Sequence, residues 1–157
     1  MARAKPFSQL PKFINQRKKN IDPAISRIMK KVAKVGHTAL ILGTPVDIGT
    51  ARSNWVMTKD TPNRTPIPAY APGEKLGIGE RANASAAIGQ GETALSTFSL
   101  GANRSIFITN FIRYISFLNG PPFHSKQTPG KFVEKAFQLM RSIVKSERLN
   151  LAKKRGF

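Results

Sequence analysis

The chain has 157 residues, of which 26 are basic and 8 acidic, for a formal charge of +18, and it contains no cysteine. The length suffices for one domain with a hydrophobic core, and the missing cysteines exclude disulfides, thiolate nucleophiles and cysteine-held zinc, in keeping with a reducing cytoplasm. No run of about 18 apolar residues predicts a membrane span, and Pro6, Gln9, Pro11 and Lys12 interrupt the stretch after Arg3 and Lys5 where a signal peptide would place its apolar core. The charge lies well outside the magnitude of roughly 2–8 that suits a small soluble domain. Self-repulsion on that scale opposes compaction. An acidic counterpart is therefore expected (nucleic acid, an anionic surface or an acidic protein), the plain alternative being a basic surface kept for solubility.

Residues 1–20 hold Arg3, Lys5, Lys12, Arg17, Lys18 and Lys19 without one acid, and Pro6 and Pro11 punctuate them. This reads as an extended basic arm whose Phe7, Leu10, Phe13 and Ile14 anchor it on a neighbour. Asp22 then serves as a helix cap and Pro23 as the first helical residue. Ile25, Ile28, Met29, Val32, Ala39 and Leu42 follow helical spacing, and Gly43 and Pro45 end the helix. Pro45, Asp47 and Gly49 form a turn into a strand over 53–57. Residues 58–79, rich in Pro and Gly, form a long loop of the kind that is functional or orders on binding. A helix over 80–98 carries small apolar residues, weakened by Gly89 and Gly91. Strands follow over 104–109 and 114–118, the second closed by Asn119, Gly120 and two prolines. A loop leads to a last helix over 131–152, with Phe132, Val133, Ala136, Phe137, Met140, Ile143 and Val144 on one face, and residues 153–157 form a basic tail with Lys153, Lys154 and Arg155. The pattern predicts an α+β fold: long N- and C-terminal helices on a small antiparallel sheet, with the core domain over 21–152.

Catalytic chemistry is not legible. His37 falls inside a helix and His124 in a loop, neither with a metal-ligand spacing. The acids are dispersed, no serine sits in a nucleophile elbow, and Gly73–Gly79 lacks the Gly-Lys-Ser/Thr ending of a phosphate loop. No catalytic residue, metal or cofactor is expected. Phe111-Ile112-Arg113-Tyr114 interleaves aromatic and basic residues as a base-stacking platform would, and equally as a half-buried strand would.

Two segments carry a resemblance. The first is Thr44-Pro45-Val46-Asp47-Ile48-Gly49-Thr50-Ala51-Arg52-Ser53-Asn54-Trp55, after a long helix. The second is Ile106-Phe107-Ile108-Thr109-Asn110, then Tyr114 to Gly120, then Ser125-Lys126-Gln127-Thr128-Pro129-Gly130. In order and spacing, over residues 20–145, they resemble the neck, tail-completion and head–tail joining proteins of tailed phages. Ile48 stands where that family has Thr, and Thr50-Ala51 where it has Arg-Leu. Asn119 stands near a position where the family often has Glu, so an acidic contact usual there is missing or replaced. The resemblance implies an α+β protomer, a homo-oligomeric ring between the portal-bearing head and the tail, portal, adaptor and tail proteins as partners, and no catalysis. It marks Pro45, Asp47, Gly49, Arg52, Trp55, Asn110, Tyr114, Gly120, Gln127, Pro129 and Gly130 as motif residues. The charge alone supports a rival expectation, a basic nucleic-acid-binding protein touching phosphates through its arm and tail.

Overall fold

The computed structural model describes residues 10–72, 79–120 and 130–154. Its elements run α1 (Leu10–Gly43), α2 (Thr50–Ser53), β1 (Val56–Lys59), α3 (Glu80–Ser96), β2 (Ile106–Thr109), α4 (Ile115–Asn119) and α5 (Phe132–Lys154). The α+β expectation holds in its coarse form: helices pack around one antiparallel sheet of two strands, β1 and β2.

The extended arm is corrected from Leu10 onward, where the chain is already helical. Pro11 is tolerated in the first turn because its absent N–H would have no intrahelical acceptor there, and Lys, Arg and Gln are good helix formers. Residues 1–9 lie outside the described residues. Asp22 and Pro23, expected at a helix start, sit inside α1. Pro23 cannot donate to the Lys19 carbonyl, but it is exposed, so water can take that place.

Helix α5 crosses α1 in the opposite direction. A side chain at Gly43 would meet Phe132 and one at Gly36 would meet Met140, while Lys31 pairs with Glu147. Along this register α5 runs out before the first three turns of α1, and Pro11, Lys12, Ile14, Asn15, Gln16 and Lys19 are exposed there. The buried side of α1 is Ala33, Gly36, His37, Leu40 and Ile41, whereas Ile25 and Leu42 of the expected stripe are exposed. Helices α2, α3 and α5 and strand β2 press on α1. They widen its covered arc and favour small residues over the obvious apolar ones. On α5, Phe132 and Ala136 are buried while Phe137 and Val144 face outward.

One expected strand starts late and another is helical. Over 53–57 the strand begins only at Val56, because Gly49 in the left-handed region (φ 86) starts the turn of α2 and the Asn54 amide closes it on the Thr50 carbonyl. Over 114–118 the chain forms α4: Ile115 and Leu118, three apart, pack on the core while Phe117 points out, which is helical spacing. The strand expected over 104–109 is present as β2. Its register places Val56 opposite Thr109 and Lys59 opposite Ile106. Asp60, itself left-handed (φ 59), closes the end of the sheet by accepting from Arg104 N (2.7 Å), Ser105 N (3.1 Å) and the Asn103 amide (2.8 Å). These bonds, the Asn103 amide first, hold its carboxyl below the usual range.

The core joins Leu40, Ile41, Trp55, Ala84, Ala87, Phe132 and Ala136, with Ala33, Met57 and Leu95 beside the sheet. Helix α3 presents Asn83, Ala84, Ala87, Gly91 and Leu95 inward. This sets two glycines of one helix apart. A Cβ at Gly91 would lie 2.3 Å from His37 Nδ1, whereas one at Gly89 meets nothing within 4 Å. Gly89→Ala is expected to stabilise by about 0.5–1 kcal/mol through helix propensity. Gly91→Ala should destabilise by about 1–3 kcal/mol through overpacking. Paired thermal melts read the opposite signs.

Candidate interface site

The first motif segment leaves α1 at Gly43 and turns back beneath it. Thr44, Pro45 and Val46 are buried, Asp47 and Ile48 are exposed, and Ala51 to Trp55 are buried again. Trp55 is the pivot. Its Nε1 donates to Thr44 Oγ1 (2.7 Å), which itself donates to the Leu40 carbonyl (2.6 Å). Its carbonyl pairs with His37 Nε2 (2.7 Å), and its ring meets Phe132 edge-on with centroids 6.4 Å apart. One residue thus ties the end of α1, the motif segment and α5 together, which a large aromatic with a polar handle is suited to do. Arg52 is an internal stitch, donating through Nη2 to the Thr44 carbonyl (2.9 Å) and through Nη1 to Glu80 (3.0 Å). Its Nε is buried without a hydrogen-bond partner.

Sequence reasoning missed the polar residues that organise this region. Three carboxamides each bond both backbone groups of one residue in an extended segment, standing in for a neighbouring strand. Asn54 accepts from Ile67 N (2.7 Å) and donates to Ile67 O (2.6 Å). Asn83 accepts from Ala71 N (2.9 Å) and donates to Ala71 O (2.7 Å). Gln90 accepts from Met57 N (3.0 Å) and donates to Met57 O (2.8 Å). Ser53 Oγ adds a bond to Asn83 Oδ1 and receives Tyr70 N. The described part of the long loop is thereby laid along the body, in place of backbone ladders that its prolines could not complete. Gly49 belongs here too: a Cβ on it would reach 2.1 Å from Asn83 Nδ2. The legible signal was an Asn beside the small residues Ala84 and Ala87, a polar side chain on a face otherwise built to be buried.

The second motif segment lies against the first. Asn110 Nδ2 donates to the Ala51 carbonyl (2.8 Å), and its Oδ1 takes Ile112 N (3.3 Å), turning the chain into α4. Tyr114 precedes α4, and burial first, then the Asp47 charge, pushes its hydroxyl above the usual range. Asn119 binds across to α5, accepting from Val133 N (2.9 Å) and donating to Glu134 (2.9 Å). A carboxylate is thus present at that corner, supplied by α5. Gly120 follows α4, its N–H donating to the Ser116 carbonyl (3.0 Å), and Gly130 takes a left-handed turn (φ 66) into α5. Gln127 and Pro129 lie outside the described residues, as do His124 and most of Gly73–Gly79.

Four large apolar or aromatic residues face solvent beside the two motifs, Ile48, Phe111, Tyr114 and Phe117, exposed by 48, 52, 44 and 60%, together with the charged Asp47 and Arg113. Ile112 of the aromatic–basic run is buried instead. Among the basic residues, Lys12 and Lys19 are exposed on α1, Arg17, Lys18, Lys153 and Lys154 fall within helices, and Arg3, Lys5 and Arg155 lie outside the described residues. Among the described residues no group of His, Asp and Glu could hold a metal ion, and no helix is long and apolar enough to cross a membrane.

His37 is buried, 2% exposed, and burial lowers its pKa against the opposing hydrogen bond to Trp55. The depressed value means that the unfolded chain binds a proton that the native chain resists. Stability is therefore full above about pH 6.5 and falls on acidification below it, by up to about 1.4 kcal/mol per pH unit for one group. Urea midpoints between pH 7 and 5 should show this slope, and His37→Gln should remove it.

No protein-family model, curated protein or solved structure matches this chain.

Proposed function

We propose that this chain is a structural protein of a tailed-phage particle, a neck or tail-completion component that assembles as a ring and joins the portal-bearing head to the tail. The observation that carries this reading is the order of the two motif segments, 44–55 and 106–130, supported by their adjacency through Asn110 and Ala51. Such a corner suits a protomer whose exposed Ile48, Phe111, Tyr114 and Phe117 pack on the next subunit, since exposed large apolar groups gathered on one face mark interaction surfaces. Closed symmetry would let one patch and its complement serve around the whole axis. The helical basic arm at the start of α1 would then reach a neighbour or an acidic portal or adaptor surface, where charge mainly aligns partners.

Phe117→Asp tests the reading at an exposed position. It is expected to leave the melting temperature within about a degree or two of the parent, as surface substitutions generally do, while the protein no longer enters particles in a complementation assay. Unchanged incorporation would count against this face as the contact.

A second reading, a basic nucleic-acid-binding protein, is favoured by the +18 charge and by the exposed Lys12, Lys19 and Arg27 on α1 and Arg141, Lys145 and Arg148 on α5. It requires duplex DNA binding that weakens steeply with salt.

A further inference from the structure

The two edges of the small sheet are not treated alike. Met57 gives its N–H and carbonyl to Gln90, so both point away from β2, and Met57 and Ile108 form a non-hydrogen-bonded pair. The ladder therefore runs through Val56–Thr109 and Thr58–Phe107, and it continues in Asp60 N donating to the Ser105 carbonyl (3.1 Å). By the same alternation, Ile106 and Ile108 direct their N–H and C=O groups away from β1. No described residue bonds them there. The edge of β1 is closed by a side chain, and that of β2 is bare. Ile106 to Thr109 holds neither the lysine nor the proline with which exposed edges are usually blunted.

We infer that the outer edge of β2 is a strand-addition site, and that its occupant is β2 of a second copy, joining two sheets into one four-stranded antiparallel sheet about a two-fold axis at Phe107. The strand is its own complement. Pairing Ile106 with Ile108 of the second copy, and Ile108 with its Ile106, satisfies the outward groups of both chains with four hydrogen bonds. The two Phe107 rings then face each other at a non-hydrogen-bonded position, where aromatic pairs add to sheet stability. The Ile106 and Ile108 side chains, already packed beside Met57, Leu95 and Ala33, extend that apolar cluster across the axis. No like charges are set opposite: Arg104 falls against Asn110 of the second copy, and the paired residues are uncharged. The contact is isologous and closes at two copies. It is separate from the head-to-tail contacts of a ring and does not rest on the function proposed above.

Two chains of +18 repel, so this dimer is expected to strengthen as salt rises, the reverse of nucleic-acid binding. The test is amide hydrogen exchange on the full chain, followed by NMR across a dilution series at low and high salt, with the mass in solution measured in parallel. The expected result is a dimer in which the Ile106 and Ile108 amides are protected and become exchangeable on dilution, while those of Phe107 and Thr109 stay protected throughout. A monomer at every concentration and salt would overturn the inference. So would a dimer or ring whose Ile106 and Ile108 amides exchange freely, and that outcome would leave the assembly reading standing. Ile106→Pro removes an outward N–H without taking a bond from the β1–β2 ladder. With the Trp55 emission of the folded chain retained, it is expected to be monomeric, and an undiminished dimer would contradict the pairing.

Discussion

Asn83→Asp is expected to destabilise the chain by about 3–5 kcal/mol, the cost of breaking a satisfied buried polar network. Asn83 is 0% exposed and every hydrogen-bonding site it has is used: Oδ1 accepts from Ser53 Oγ and Ala71 N, and Nδ2 donates to the Ala71 and Gly79 carbonyls. The substitution preserves shape, so no cavity contributes. It sets a carboxylate oxygen against two carbonyl oxygens, or else forces the carboxyl to stay protonated with one donor where two are needed. Loop residues 67–72 should loosen first, since Asn83, Asn54 and Ser53, the last itself bonded to Asn83, hold their backbone. Urea unfolding gives the magnitude, and hydrogen exchange at Ala71 and Tyr70 gives the order. A loss within about 1 kcal/mol, the worth of one ordinary hydrogen bond, would show that the carboxamide is not the organiser described above.

Trp55→Ala should cost about 3–5 kcal/mol as well, by a different route. It empties the space against Phe132, and it orphans Thr44 Oγ1 on the side facing the indole. Trp55→Phe separates the two causes. It keeps the ring contact with Phe132 and loses only the indole donor, so about 1 kcal/mol is expected from the hydrogen bond. Denaturation midpoints of the two variants should differ accordingly, and only Trp55→Ala should fail to complement in particle assembly.

Much of the fold was legible where one signal dominates. The long helices follow from their spacing, α5 came within two residues at its C-terminal end, and β2 was visible in Ile106-Phe107-Ile108. The misreadings have physical reasons. Pro11, in the first turn, costs α1 no hydrogen bond, and Pro23 costs one beside water, so neither breaks the helix as their sequence positions suggest. The stretch 114–118 reads as alternating or helical until its neighbours are known, and Ile115 and Leu118 find the core at helical spacing. The stripe on α1 differs from the spacing because a helix pressed by several elements buries glycine, alanine and histidine at close approaches and leaves Leu42 outside. Of the candidate site, Trp55, Gly49 and Asn110 were recognised as motif residues. The carboxamides Asn54, Asn83 and Gln90, which hold the backbone of Ile67, Ala71 and Met57, were not, because only Asn83 stands out from its small neighbours and a carboxamide that imitates a strand otherwise has no sequence pattern of its own.

The central claim, that the chain is a component of the head–tail junction of a phage particle, is tested most directly by immunogold electron microscopy of intact particles with antibody raised against it. Gold confined to the junction between head and tail is the result this account predicts. Particles that carry no gold at any position would contradict it and leave the nucleic-acid-binding reading in its place.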